Sequence, residues 1–304
     1  MAYYSGQVTS FIEIRDVLVN ACLQNQDWSW DAATLVLKNE SKHIFINITT
    51  DTLNIIFKGR TSANSGDTPY NCRIGRLCSL SPFGDMAFPA KYEIFFFDNE
   101  VYFLLNYSID LFQWVAFGKS SFDFSSSGGT GMWISASLGG APAGGPWYNN
   151  NPISIMSSQS GNNEGACIAP ALFWMDGGWY ENMWMQSFIH TNIDNSGWIF
   201  GAGGIYKSLS PLLDRQPNNW NNESLLSPIG VLKSRDSSKL SKILEFENCR
   251  ALRIDNFEPN QVINLGHDKW KIFPWYKKDS TQRDGGKQIW HTGTFGWAIR
   301  YDGP

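Results

Sequence analysis

The stretch "AKYEIFFFDNEVYFLLNY", residues 90–107, constrains the fold more than any other. Two aromatic and β-branched runs flank "FDNE", where the Asp98-Asn99 pair tolerates the backbone angles of a tight turn. A helix would have to bury rings on every side, whereas two paired strands place them on defined faces. The segment therefore predicts a β-hairpin. "FQWVAFG" adds a further strand, and "GWIFGAGGIY" another. "ALFWMDGGWYENMWMQSFIH" reads as a second hairpin, turning at Asp176-Gly177-Gly178.

The exception to this β character lies near the start. "SFIEIRDVLVNACLQNQ" opens with Ser10 and has Glu13 three residues later, a capping-box arrangement that satisfies free amides at a helix start. Phe11, Ile14, Leu18 and Ala21 follow helical spacing. Three short strand-like runs follow: "WSWDAATLVL", "HIFINIT" and "TLNIIFKG". The expected architecture is mainly β, with an α+β N-terminal unit followed by antiparallel β-sandwich or barrel-like domains. The expected units are 1–62, a small helix-plus-sheet domain; 63–208, a β domain with long Gly/Asn-rich loops; and 209–304, a C-terminal β domain or the completion of the central one. In the last of these, "SKLSKILEFENCRALR" fits neither the helical nor the strand period cleanly. It is read as strand because its neighbours are β.

Composition narrows the function classes. The chain of 304 residues is 42% hydrophobic, 17% charged and 15% aromatic, with 14 Trp, so large cores form without disulfides. A net charge of −4 with scattered Lys and Arg offers no basic stripe for nucleic acid. No apolar run is long enough for a membrane span, and the start lacks the pattern of a secretory signal. Five widely spread cysteines (Cys22, Cys72, Cys78, Cys167, Cys249) without a CxxC indicate neither a zinc site nor a disulfide framework. Reduced, buried thiols and synthesis in a cytoplasm are expected.

Candidate chemistry is sparse. Glu164, Asp176 and Glu181 lie among Trp174, Trp179 and Trp184, where carboxylates and sugar-stacking rings would meet in a glycan hydrolase. Acidic turn residues between aromatic strands are the simpler reading. The histidines His43, His190, His267 and His291 are far apart, and no GxSxG or HExxH appears. "NIDNSG" and "RIDNF" hold oxygen ligands for calcium but equally suit turns, and "GGTG" and "GAGG" lack the context of phosphate loops. No catalytic residue, cofactor or metal is expected. Candidate interface or glycan-contact residues are Trp133, Trp147, Trp174, Trp179, Trp184, Phe295 and Trp297.

Four segments carry a resemblance. "MAYYSGQVTSFIEIRDVLVNACLQN", "VYFLLNYSIDLFQWVAFG", "LRIDNFEPNQVINLGHDKWKIFPWYKKD" and "HTGTFGWAIRYDGP" resemble a group of proteins encoded among the late structural genes of tailed bacteriophages and prophages. They reach across most of the chain, with residues 120–220 matching only loosely. The resemblance implies a non-enzymatic virion structural protein of the tail or baseplate, assembled in the host cytoplasm and bound to copies of itself and to other tail proteins. The rival roles are a receptor- or glycan-binding tail module that contacts a host surface glycan, a neck component at the head–tail connection, and an envelope hydrolase.

The ending "HTGTFGWAIRYDGP" tests this reading locally. Phe295, Trp297, Ile299 and Tyr301 alternate with Thr294, Gly296, Ala298 and Arg300. That period predicts a paired strand whose aromatic face is buried, within its own domain or beneath a neighbouring subunit, with His291 near its start.

Overall fold

The computed structural model describes residues 1–75, 86–139, 187–200, 205–206, 226–235, 239–254, 256–274, 278 and 295–303. It is mainly β. Strand β1 (Ala2–Val8) precedes helix α1 (Phe11–Leu23), followed by β2 (Ser29–Asp31), β3 (Val36–Asn39), β4 (Ile44–Thr50), β5 (Asn54–Arg60) and β6 (Cys72–Gly75). Next come β7 (Ala90–Phe96), β8 (Glu100–Ser108), β9 (Leu111–Lys119), β10 (Met132–Ala136), β11 (Leu138–Gly139), β12 (Ser187–His190) and β13 (Trp198–Phe200). The last are β14 (Ile205–Tyr206), β15 (Ser227–Arg235), β16 (Lys239–Arg253), β17 (Val262–Leu265), β18 (Asp268–Pro274) and β19 (Phe295–Arg300).

These strands form three antiparallel sheets. A central sheet has the order β1-β7-β8-β9-β10-β12-β13, an N-terminal sheet β11-β6-β5-β4-β3-β2, and a C-terminal sheet β14-β15-β16-β19-β18-β17. The expected hairpin at "FDNE" is β7–β8, closed by the Phe97 amide donating to the Glu100 carbonyl at 2.8 Å. Ile94–Phe96 and Val101–Leu105 are apolar on successive positions because the central sheet is covered on both faces there. Val101, Phe103 and Leu105 enter one core with Ile46, Ile55 and Phe57 of the N-terminal sheet and Phe11, Ile14 and Leu18 of α1. Tyr102 and Leu104, pointing the other way, enter a second core with Ile243, Phe246 and Trp297 of the C-terminal sheet. Period-two geometry sends neighbouring residues to opposite cores.

The helix begins nearly as expected. Ser10 Oγ accepts from the Glu13 amide at 3.2 Å, but the Glu13 carboxylate reaches one residue further back, to the Thr9 amide at 2.6 Å. From Lys239 to Arg253 the ambiguous "SKLSKILEFENCRALR" is strand, forming β16. The cut expected at residue 62 runs through shared structure. Strands β6 and β11 complete the N-terminal sheet, β1 belongs to the central sheet, and one core spans both sides of the cut.

A buried glutamine joins two layers. Gln113 of β9 accepts from the Gly75 amide at 2.9 Å and donates to the Gly75 carbonyl at 2.8 Å, so its amide acts as one more strand residue beside β6. Gly75 suits the position, since a Cβ would stand 2.1 Å from Asn54 Oδ1 and force that side chain to shift. Gln113→Leu leaves both Gly75 groups without that partner inside the core and is expected to lower stability by about 2–3 kcal/mol. Urea titration of the variant measures this, and a loss under about 0.5 kcal/mol would dismiss the clamp.

Candidate functional site

The described residues concentrate their buried charge in clamps between layers. The most enclosed centres on Glu100, 2% exposed at the start of β8. Opposite it, β16 bulges. Gly230 of β15 pairs with Glu245 while Pro228 pairs with Arg250, leaving residues 246–249 without a regular partner in the β15–β16 ladder. A bulge frees backbone amides from the ladder, and successive amides form a concave anion seat. Glu100 fills that seat. It accepts from the amides of Glu247 at 2.8 Å and Asn248 at 2.9 Å, from Asn248 Nδ2 at 2.9 Å and from the Tyr102 hydroxyl at 3.0 Å. Arg250 fastens the bulge from the other side, donating to the carbonyls of Phe246, Glu247 and Cys249 while its guanidinium lies over Trp270. Burial raises the Glu100 carboxyl above its ordinary value despite the four donors that favour its charge.

A second clamp ties the first strand to the C-terminal sheet. The Lys271 ammonium meets Glu93 Oε2 at 2.5 Å and sits over the rings of Tyr3 and Tyr301, each 5.3 Å from the centroid. Tyr3 donates to the same Glu93 oxygen at 2.7 Å. Burial, and then the bond to Glu93, push the Tyr3 phenol well above its usual range. The site is an aromatic cage already filled by the chain's own cation.

The third lies in "NIDNSG", the stretch with calcium-type ligands. Asn192, Asp194 and Asn195 adopt left-handed backbone angles and fold the loop around an ammonium. Lys233 donates to the Ile193 carbonyl at 2.8 Å, to Asp194 Oδ2 at 3.1 Å and to Ser196 Oγ at 3.1 Å, and Arg235 takes the other Asp194 oxygen at 2.9 Å. The loop does gather oxygens around a cation, but that cation is a side chain of β15. Bonds to Arg235 and then to Lys233 hold the Asp194 carboxyl below the ordinary range. Among the described residues no group of three or more His, Cys, Asp or Glu could hold a metal ion.

His190 is structural. Its Nδ1 accepts from the Thr130 amide at 3.0 Å, its ring lies against Trp198, and burial lowers its pKa. The thiols of Cys22, Cys72 and Cys249 are buried, pushed up by burial and so poor nucleophiles.

Two candidate contact residues need correction. Trp133 and Trp297 are fully buried, with Trp133 edge-on to Phe246 at 4.8 Å and Trp297 tilted against Trp114 at 5.2 Å. Rings sealed between the central and C-terminal sheets offer nothing to a glycan or a neighbouring subunit. Of Phe295, the backbone pairs with Arg253. Trp147, Trp174, Trp179 and Trp184, the carboxylates Glu164, Asp176 and Glu181, the hairpin read around Asp176, and His291 lie outside the described residues. Sequence reasoning missed Glu100, read only as a turn residue, and Lys233. The signal for the Glu100 seat was present in β16, where Leu244, Phe246 and Cys249 break the period of two at the bulge.

No family model matches the chain, and comparison with curated proteins finds no match. Among the described residues, no helix is long and apolar enough to cross a membrane.

Proposed function

We propose that this chain is a non-enzymatic structural component of a tailed-phage virion, an oligomeric assembly protein of the tail or baseplate, with a neck position as the alternative. The observation that carries this reading is the use made of buried polar chemistry. Glu100, Gln113, Lys233 and Lys271 each bind one layer or loop to another, which stiffens the chain against load. The segments that resemble late structural phage proteins fall on the same frame. "VYFLLNYSIDLFQWVAFG" is the β8–β9 hairpin at the centre of the stack, and the two C-terminal segments supply β17, β18 and β19.

In this reading the protein assembles in the host cytoplasm with copies of itself and with other tail proteins. Mass spectrometry and cryo-electron microscopy of purified virions test it. The expected result is the chain present in tail-region density at a fixed copy number, and its absence from intact particles rejects the proposal. A glycan-contact role has fewer rings to draw on, because Trp133 and Trp297 are interior. Binding on a glycan array that is lost on Trp179→Ala would favour it instead.

A further inference from the structure

We propose that the outer edge of β1 pairs with β1 of a second copy of this chain, antiparallel about a two-fold axis at Ser5. The proposal rests on the self-association in the functional reading above and gives it a surface. Six strands end the three sheets, and five are short: β13 and β2 have three residues, β11 and β14 two, and β17 four. Short edges are one way proteins prevent unwanted pairing. β1 differs, running seven residues in unbroken register from Ala2↔Phe96 to Val8↔Ala90. It contains no proline, no charge and no bulge, and among the described residues no strand pairs with its outer side. Ser5, Gly6 and Gln7 are exposed there. Unlike the other five, this edge carries none of the usual protections.

The occupant follows from the sequence of the edge. Pairing about Ser5 sets Ala2 against Val8, Tyr3 against Gln7 and Tyr4 against Gly6 of the second copy. Each bulky member meets a smaller or flexible one. Gly6 is already covered by the Tyr92 ring of its own chain, whose atoms stand 3.0–3.1 Å from where a Cβ would lie, so Tyr4 of the second copy would meet that ring across the seam. Charge also permits the self-match. Glu93, the partner of Ser5 on β7, would bring like charges toward the axis from both copies, but Lys271 neutralises it within its own chain. An acidic or basic partner strand would gain nothing from this uncharged edge, whereas an identical strand loses nothing. The result is a continuous sheet through both copies, closed by an isologous contact.

Sedimentation velocity on the purified full chain, with Ser5→Lys and Ser5→Cys, tests the pairing. In Ser5→Lys the new ammonium stands beside the Glu93–Lys271 pair of its own chain, and two lysines face each other at the axis; a cooperative thermal melt of the variant shows that the monomer still folds. The expected result is wild-type protein at an even multiple of the chain mass and Ser5→Lys at half that mass. Oxidised Ser5→Cys should form a covalent dimer, because directly opposed residues in an antiparallel pair lie within disulfide reach. Ile109→Cys, at the 88% exposed tip between β8 and β9, should not. A wild-type oligomer that persists in Ser5→Lys, with no Ser5→Cys cross-link, overturns the β1 contact alone. A monomeric wild-type chain overturns it together with self-association.

Discussion

Glu100→Ala is expected to lower the unfolding free energy at neutral pH by about 3–5 kcal/mol, the range for breaking a buried charge-centred network. The cost comes from what remains. The amides of Glu247 and Asn248, Asn248 Nδ2 and the Tyr102 hydroxyl all lose their acceptor at a site closed to water. Glu100→Gln keeps one acceptor oxygen but turns an NH2 group toward donors, so about half that loss is expected. The pH dependence has a definite sign. Burial raises the folded-state pKa of Glu100, so the part of its contribution that comes from proton binding is full below the unfolded value of about 4.3 and is lost as pH rises through the folded value, leaving the hydrogen-bonded network that Glu100→Ala removes. The stability advantage of wild type over Glu100→Gln should therefore shrink with rising pH across that window and then level off. Chemical denaturation of both proteins at a series of pH values measures this. An advantage that grows through the window would mean that the four donors outweigh burial.

The anion seat also shows what was legible in the sequence. The FDNE turn, the strands around it and the capping serine could be read because each rests on neighbouring residues: turn angles, period two, a side chain reaching three positions on. The layering needed more. "VYFLL" and "FQWVAF" differ from a one-sided strand in having almost no polar member on alternate positions, and that is the mark of a sheet covered on both faces. It is visible in the letters, but its partners, Phe57 on one side and Phe246 on the other, lie far along the chain in opposite directions. The expected unit boundary at residue 62 missed this for the same reason, since β1 joins β7 across more than eighty residues. The "NIDNSG" oxygens were visible as ligands that equally suit a turn, and the loop does both. Only tertiary structure could supply Lys233 as its occupant. Trp133 and Trp297 illustrate the converse error, because a tryptophan count says how much ring surface exists and nothing of which layer covers it.

Three of the four clamps differ in which layers they hold. Gln113 joins the central sheet to the N-terminal sheet, Glu100 joins it to the C-terminal sheet, and Lys271 ties β1 to β18. Each acts through backbone or aromatic partners fixed in sheets, so a sliding motion between layers would break several directional contacts at once. Directional contacts resist such shear, and apolar packing alone, being non-directional, supplies little of that resistance.

Trp297→Ala tests how far the apolar part of that joint matters. Trp297 is fully buried on β19, between Ala251 of β16 and Phe273 of β18, with its ring 5.2 Å from Trp114 and 6.0 Å from Tyr102 of the central sheet. Truncation removes the largest ring that the C-terminal sheet places against the central one, at an expected cost of about 3–5 kcal/mol. Trp297→Phe keeps an aromatic contact with less volume and should cost about 1–2 kcal/mol. The position of the loss is as informative as its size. If the joint is where the stack separates, hydrogen exchange in Trp297→Ala should show β16, β18 and β19 losing protection while β8 and β9, still covered by the N-terminal sheet, keep theirs. Uniform loss across all three sheets would instead mark the stack as a single cooperative unit. A cost below about 1 kcal/mol would remove this ring from any part in holding the layers together.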